Sequence, residues 1–459
     1  MFPSLLAYFV ALITLTVAQD SRPLPPSQDP FYQQPENISN YAPGAVIRSR
    51  QVSNRLQPFL PLPVDVSVKE VHQYLYRTTD SLGDAVAAAT TILVPYDADP
   101  NKLLSYQTAY DSANPDCSPS YTLRFGTAEG GLAGIVGPNS TLSIDTPFLA
   151  ASLNQGWYVV TSDYEGLEAQ FVAGLQAGYA TLDSVRVALA VGPSTLGLSP
   201  TARYAMWGYS GGSLASEWAA ELAASYAPEL RFEGAALGGL IANVTAVATT
   251  INKSLFAGLG FAGIIGLSRA YPNLTDYLEA SLLPDKRDEF FERGSYCLVG
   301  NTLAGAGQDL YSYFSTGEGA LSDPVPASVL AAAGQMGVYG TPQMPLYIYH
   351  ARGDEVSPSV ETDEYVQQFC AQGGVTIEYY RNLFGEHATE AILGSANALG
   401  WVADRLDGKP LETTTGTCKT ENIFISTIEP DTIPLIGLEL ISVIQTILGG
   451  MLGEGLPGL

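Results

Sequence analysis

The feature that most constrains this chain is Gly208-Tyr209-Ser210-Gly211-Gly212, set between two segments of different periodicity. Residues 204–207 form a short β-forming run. After the motif, Leu214, Trp218, Leu222 and Tyr226 recur at i, i+4, i+8 and i+12, as one face of a helix does. A strand that passes into a helix within so few residues must turn sharply, and glycine at the flanking positions keeps side chains from colliding. Such a turn lifts Ser210 Oγ clear of the sheet. It also aims a helix N-terminus at Ser210, so that the Gly211 N–H can meet a developing oxyanion. In a chain with 46 glycines the same letters also arise as an ordinary Gly-rich turn. The strand before and the helix after favour a nucleophile.

A serine nucleophile needs a base, and the sequence holds three histidines. His72 lies far upstream in a strand-like run, and His350 falls inside the apolar run 345–351, at the end of a buried strand. His387 follows the loop 382–386, after the strand-like run 375–380 and before a helix expected from about residue 388. A loop after the last strand is where a strand–turn–helix nucleophile finds its base, so His387 is the candidate. Asp354, in the loop 351–355, gives the order Ser, Asp, His and is the candidate to orient the imidazole and offset its charge. Glu355 and Asp363 compete with it, and a turn-forming role beside Gly353 is the plain alternative. Glu386 is adjacent to His387 and poorly placed to meet its ring. These groups suffice for acyl transfer without a metal or an organic cofactor.

The net charge of −25 disfavours nucleic acid and anionic membrane surfaces as partners, while a neutral ester or a neutral lipid–water interface remains open. Residues 5–17 are apolar but too short to span a bilayer, and Thr16-Val17-Ala18 offers a cleavage site, so residues 1–18 are expected to be a signal peptide and the protein secreted. Asn37, Asn139, Asn243, Asn252 and Asn273 each begin a glycosylation sequon. Cys117, Cys297, Cys370 and Cys418 have no zinc-like spacing or nearby histidine. In an oxidising compartment they form two disulfides, with three pairings open.

Along the chain, residues 19–62 read as an extended arm rich in Pro, Gln, Asn and Ser. Residues 63–237 carry strand-like runs at 71–77, 90–95, 102–109 and 157–162, with helical spacing at 171–190. Strand, helix, strand in this order predicts an α/β fold with a mostly parallel sheet flanked by helices. Residues 238–334 change character and are expected to form a helical insertion, a cap, before the sheet resumes in 335–419. The Gly-, Ala- and Phe-rich run 255–267, with Phe261 in it, suits an acyl channel or plain cap core. Residues 420–459 form a tail whose apolar part, 433–452, is interrupted by Pro434, Glu439 and glycines. A covering segment is expected there rather than a transmembrane helix.

The elbow with Ala227-Pro228-Glu229-Leu230 after it resembles the fungal secretory lipases of the α/β-hydrolase superfamily. Tyr110-Asp111 before Asp116-Cys117, Asp163-Tyr164-Glu165-Gly166, and the late Asp354 and Glu386-His387 extend the match over most of residues 60–420. The resemblance implies an α/β-hydrolase core, a helical cap or lid and a C-terminal flap. It also implies that the Asp111 backbone N–H joins Gly211 in the oxyanion hole, and that Cys117 pairs with Cys297 and Cys370 with Cys418. The function expected is a secreted lipase acting on acylglycerols, with a monomer as the default state. A soluble esterase or deacetylase of small or secondary-metabolite esters is the alternative, and a non-catalytic binding protein the third.

Overall fold

The computed structural model describes residues 22–58, 66–128, 133, 137–140, 146–424, 426 and 433–436. The expected signal peptide and nearly all of the tail after residue 426 lie outside the described residues.

The strands are β1 (Val46–Val52), β2 (Glu70–Thr79), β3 (Ala85–Val94), β4 (Lys102–Gln107), β5 (Tyr158–Ser162), β6 (Arg203–Tyr209), β7 (Ala235–Gly238), β8 (Leu346–Ala351), β9 (Ile377–Asn382) and β10 (Cys418–Ile423). They form one sheet in the order β1-β2-β3-β5-β4-β6-β7-β8-β9-β10. Pairings from β1 to β5 are antiparallel; all those from β5 to β10 are parallel. The layout is the expected one, a mostly parallel sheet with helices on both faces.

Alternation along each central strand divides the core in two. On β6, Tyr204 and Met206 face one side, where helices Gly174–Val191 and Gly211–Tyr226 bring Leu182, Val185 and Trp218. Ala205, Trp207 and Tyr209 face the other, against Phe148 of helix Thr146–Asn154 and Ile392, Leu399 and Val402 of helix His387–Leu406. With both faces buried, β4 to β8 carry the continuous apolar runs of a parallel sheet.

The expected arm is more than a surface strap, because its residues 46–52 join the sheet as edge strand β1, paired with β2. The helix expected over 171–190 starts later, at Gly174. Ala169 (φ 48°) and Val172 (φ 61°) hold the preceding segment in the left-handed region, which a helix cannot include. Between β7 and β8 the chain leaves the sheet as helices, among them Val244–Ile251, Ala257–Ala270, Pro272–Ser281 and Pro324–Ala333. Small residues let these approach closely: the Cα of Gly258 lies where a Cβ on Gly305 would be.

Candidate active site

Strand β6 ends at Tyr209 and the next helix opens at Gly211, leaving Ser210 alone in the turn at φ 53°, ψ −123°. Such a conformation costs a non-glycine residue about 1–3 kcal/mol and persists only where neighbours enforce it. Here the Ser210 N–H donates to the Gly238 carbonyl at 2.9 Å, and Ser213 Oγ donates to the Ser210 carbonyl at 2.6 Å. A Cβ on Gly208 would strike the Gly212 carbonyl, one on Gly212 the Gln107 carbonyl, and one on Gly211 the Asp111 carboxyl group. All three glycines are therefore required by close approach.

The carboxyl ends of β6, β8 and β9 bring three side chains into line. His387 Nε2 lies 2.9 Å from Ser210 Oγ, and His387 Nδ1 lies 2.7 Å from Asp354 Oδ2. An ionised carboxylate only accepts, so Nδ1 carries the proton and Nε2 presents its lone pair to the serine hydroxyl. Asp354 Oδ1 accepts from the backbone N–H groups of Val356 (2.9 Å) and Ser357 (2.7 Å), which fix the carboxylate. His387 is the first residue of its helix, not a loop residue before it, and Glu386 with Thr389 forms a reciprocal capping box there. The His387 N–H donates to Glu355 Oε2 at 3.0 Å, and Tyr209 Oη donates to the His387 carbonyl at 2.7 Å.

All three residues are less than a tenth exposed, so their charges are coupled through a poorly screened interior. Burial would raise the Asp354 carboxyl, but the His387 charge and hydrogen bonds from His350 and His387 hold it well below the usual carboxylate range. Burial works against a charged His387, yet the Asp354 charge and hydrogen bond, with Glu355 and Asp111, push its pKa up. The arrangement can take a proton from Ser210 Oγ and stabilise the resulting imidazolium.

Asp111 follows β4 at φ 39° and is buried beside Gly211. Burial pushes its carboxyl up to about 6, against the opposing charge of His387. Its loop is clipped to the inserted helices by the Cys117–Cys297 disulfide. Ser112 Oγ also donates to the Tyr296 carbonyl at 2.8 Å, and Asn114 Nδ2 to the Ser295 carbonyl at 2.7 Å. The second disulfide, Cys370–Cys418, ties helix Ser359–Gln372 to β10.

Residues 137–414 match the family described as secretory lipase. The chain belongs to that family. It is 39% identical to "Lipase A" of Arthroderma benhamiae over 449 residues, 97% of this chain and 93% of that one. It is 36% identical to the "Trichothecene C-3 esterase" of Fusarium sporotrichioides, over 87% of this chain and 88% of the relative. Among solved structures, Candida antarctica lipase A in its closed state superposes with a TM-score of 0.79 at 31% identity, covering 93% of this chain and 96% of that one. This secretory lipase is thus a carboxylic ester hydrolase with an α/β-hydrolase fold.

The remaining candidates fall elsewhere. His72 sits on β2, 2.8 Å from Glu70 Oε2. Asp363 meets Arg381 at 3.2 Å and Tyr379 Oη at 3.0 Å, not an imidazole. Glu355 reaches the backbone of His387 rather than its ring. Among the sequons, Asn37, Asn139 and Asn273 are exposed. Asn243 and Asn252 are only partly exposed and use Nδ2 internally, toward Glu361 (2.9 Å) and Asp309 (3.0 Å). Sequence reasoning missed His350, whose Nε2 lies 3.2 Å from Asp354 Oδ2. The i, i+4 spacing across the tight turn after β8 was the available signal.

Next to Ser210 lies a narrow, mostly apolar pocket. Ser210, Gly211 and Asp111 contribute to its wall, and the rest is apolar. Val244, Ala248 and Ile251 come from one inserted helix, and Gly260, Gly263 and Ile264 from the next. The strained Val172 faces them across the cavity, within 3.4 Å of where a Cβ on Gly263 would stand. Ile264, Leu267, Leu321 and Leu330 also border a second, much smaller apolar pocket, farther into the inserted helices. Phe261 lines neither. It is fully buried among Phe290 and Tyr313, with ring centroids 5.5 and 4.9 Å away. Within the run 255–267, then, Phe261 is core while Leu259, Gly260, Gly263, Ile264 and Leu267 face the cavity.

Proposed function

We propose that this chain is a secreted serine lipase that hydrolyses acylglycerol esters through an acyl-enzyme formed on Ser210. His387 takes the Ser210 proton as Oγ attacks the ester carbonyl, and returns it to the leaving alkoxide. Water, deprotonated by the same imidazole, then releases the acid. Asp354 holds the imidazole in its Nδ1–H form and offsets its positive charge. The Gly211 and Asp111 N–H groups receive the oxyanion. The family and the paired disulfides, which persist in oxidising compartments, support an extracellular location.

The observation that carries the substrate assignment is the apolar cavity opening on Ser210. A long acyl chain is stabilised by about 0.8 kcal/mol for each methylene it buries, and the wall offers almost no polar group to a more hydrophilic acid. The inserted helices supply most of that wall and act as the cap that governs entry. The 36%-identical trichothecene esterase favours a second reading, a soluble carboxylesterase or deacetylase of small or secondary-metabolite esters.

Rates on nitrophenyl esters from acetyl to palmitoyl, with and without an emulsion surface, separate the two. The lipase reading predicts rates that rise with chain length and increase above the solubility limit. A preference for acetate that ignores the interface would establish the esterase instead.

A further inference from the structure

His350 is the buried histidine that the proton path leaves over. It lies on β8, fully enclosed, four residues before Asp354. Its Nε2 is 2.9 Å from the Ser357 carbonyl and 3.2 Å from Asp354 Oδ2, and its Nδ1 is 3.0 Å from Thr362 Oγ1. Both partners at Nε2 only accept, so Nε2 carries a proton, and Nδ1 is left to accept from the Thr362 hydroxyl. A doubly protonated ring would force that hydroxyl toward the Leu240 carbonyl, 3.4 Å away. The surroundings therefore fit a neutral imidazole with its proton on Nε2.

Asp354 Oδ2 thus lies 2.7 Å from His387 Nδ1 and 3.2 Å from His350 Nε2, whose one proton it shares with the nearer Ser357 carbonyl at 2.9 Å. A second donor on the oxygen that faces the base has two consequences. It adds to the hold that the Val356 and Ser357 N–H groups have on the carboxylate through Oδ1, and it draws off part of the negative charge that would strengthen the base. We propose that His350 is a positioning residue of the ester-hydrolysing site: its Nε2–H fixes Asp354 Oδ2 and sets how strongly Asp354 holds His387. The proposal rests on the Ser210–His387–Asp354 reading above.

The main charged and titratable groups that face this pair, among the described residues, come from four elements. Asp354 and Glu355 come from the loop after β8, Asp111 from the loop after β4, Tyr209 from β6, and Glu390 from the His387 helix. A substitution at His350 leaves all of them in the sequence, so a displaced acid limb reports on the donor itself.

The test compares His350→Asn with His350→Gln. A glutamine amide reaches about as far as imidazole Nε2, whereas asparagine stops near Nδ1 and cannot donate to Asp354. Each enzyme is titrated with a fluorophosphonate so that kcat refers to competent sites. For His350→Asn, kcat should fall about 10- to 100-fold, the size of effect known for losing the partner that orients a metal-ligating histidine. KM should stay within about twofold, and the acid limb of kcat/KM should move to higher pH because Asp354 then holds His387 more strongly. His350→Gln should return the limb to its wild-type position. A kcat per titrated site within about twofold of wild type, with an unmoved limb in His350→Asn, overturns the proposal.

A second measurement needs no variant. Nitrogen-15 spectra of histidine-labelled wild type should show His350 with its proton on Nε2; an Nδ1–H form for His350 overturns it. If His387→Ala stays active, or the phosphonate labels a residue other than Ser210, the reading of the whole site fails instead.

Discussion

The loops beyond the parallel strands hold Ser210, His387 and Asp354 through hydrogen bonds of 2.7 to 2.9 Å, whereas the helices inserted between β7 and β8 meet the same site with an almost wholly apolar wall. In the first region each side chain has one permitted position, set by a strand end, a helix N-terminus or a donor. In the second, glycine and branched aliphatic side chains shape a space, and no single contact defines it. On the proposed function, the strand-end loops would decide which bond breaks, and the inserted helices what is admitted to be broken.

Substitutions in the two regions should therefore behave differently. The largest effect is expected at the strand ends. His387→Ala should lower turnover on every ester by at least about a thousandfold, since a triad acts as a unit; His72→Ala should leave most of it. Initial rates across the nitrophenyl series check this, and a loss confined to long chains would erase the distinction between the regions.

Gly263→Leu, in the inserted helices, should do the reverse. Its side chain would project into the cavity beside Val172, in a helix that tolerates leucine better than glycine. Palmitate hydrolysis should fall about 10- to 100-fold while acetate hydrolysis changes little. Phe261→Glu is the control, because it buries a charge in the cap core and should cost folded protein on all substrates equally. Equal losses on acetate and palmitate for Gly263→Leu would contradict the cavity assignment.

The pH response also divides. His387 must be neutral to act, and its pKa is raised, so the acid limb of kcat/KM should lie above the ordinary histidine value of 6.5. Stability should run the other way. Burial pushes the carboxyls of Asp111 to about 6 and of Asp163 and Glu390 to about 7. A carboxyl raised on folding contributes stability that is complete below its unfolded value, near 4, and is lost as pH rises through its folded value. The raised His387 adds the same sign. Melting temperature should thus decline from about pH 5 to pH 8 as activity climbs, and scanning calorimetry checks it. Asp354, held low, has the opposite sign and matters only as pH falls below the usual carboxylate range.

The smallest expected difference lies between the disulfides. Replacing either pair by serine should cost about 2–5 kcal/mol of stability. Only loss of Cys117–Cys297 should also alter chain-length preference, because that bond joins the Asp111 loop to the inserted helices. Identical ester profiles for the two double variants would remove that link.

What could be read from the sequence follows the same division. Ser210 and its glycines were legible because the elbow is sterically exacting, and His387 because only three histidines had to be weighed. β7 escaped notice since Ala235–Gly238 is only four residues, three of them small, buried on both faces with no alternation to see. β1 and β10 are polar edge strands whose partner-side hydrogen bonds leave no mark on composition. The helix near 171–190 was placed three residues early, because periodicity cannot register the left-handed turn at Val172. Phe261 shows the limit in the cap, where a helix apolar on most sides does not declare which side meets a cavity.

The central claim is that Ser210, activated by His387, carries the acyl group. Incubation with a fluorophosphonate, followed by peptide mass spectrometry, tests it most directly. One phosphonyl group per chain is expected, on Ser210, with activity lost in proportion and labelling abolished in Ser210→Ala and strongly slowed in His387→Ala. Stoichiometric labelling at any other residue, or a Ser210→Ala enzyme that still hydrolyses esters at a wild-type rate, would contradict it.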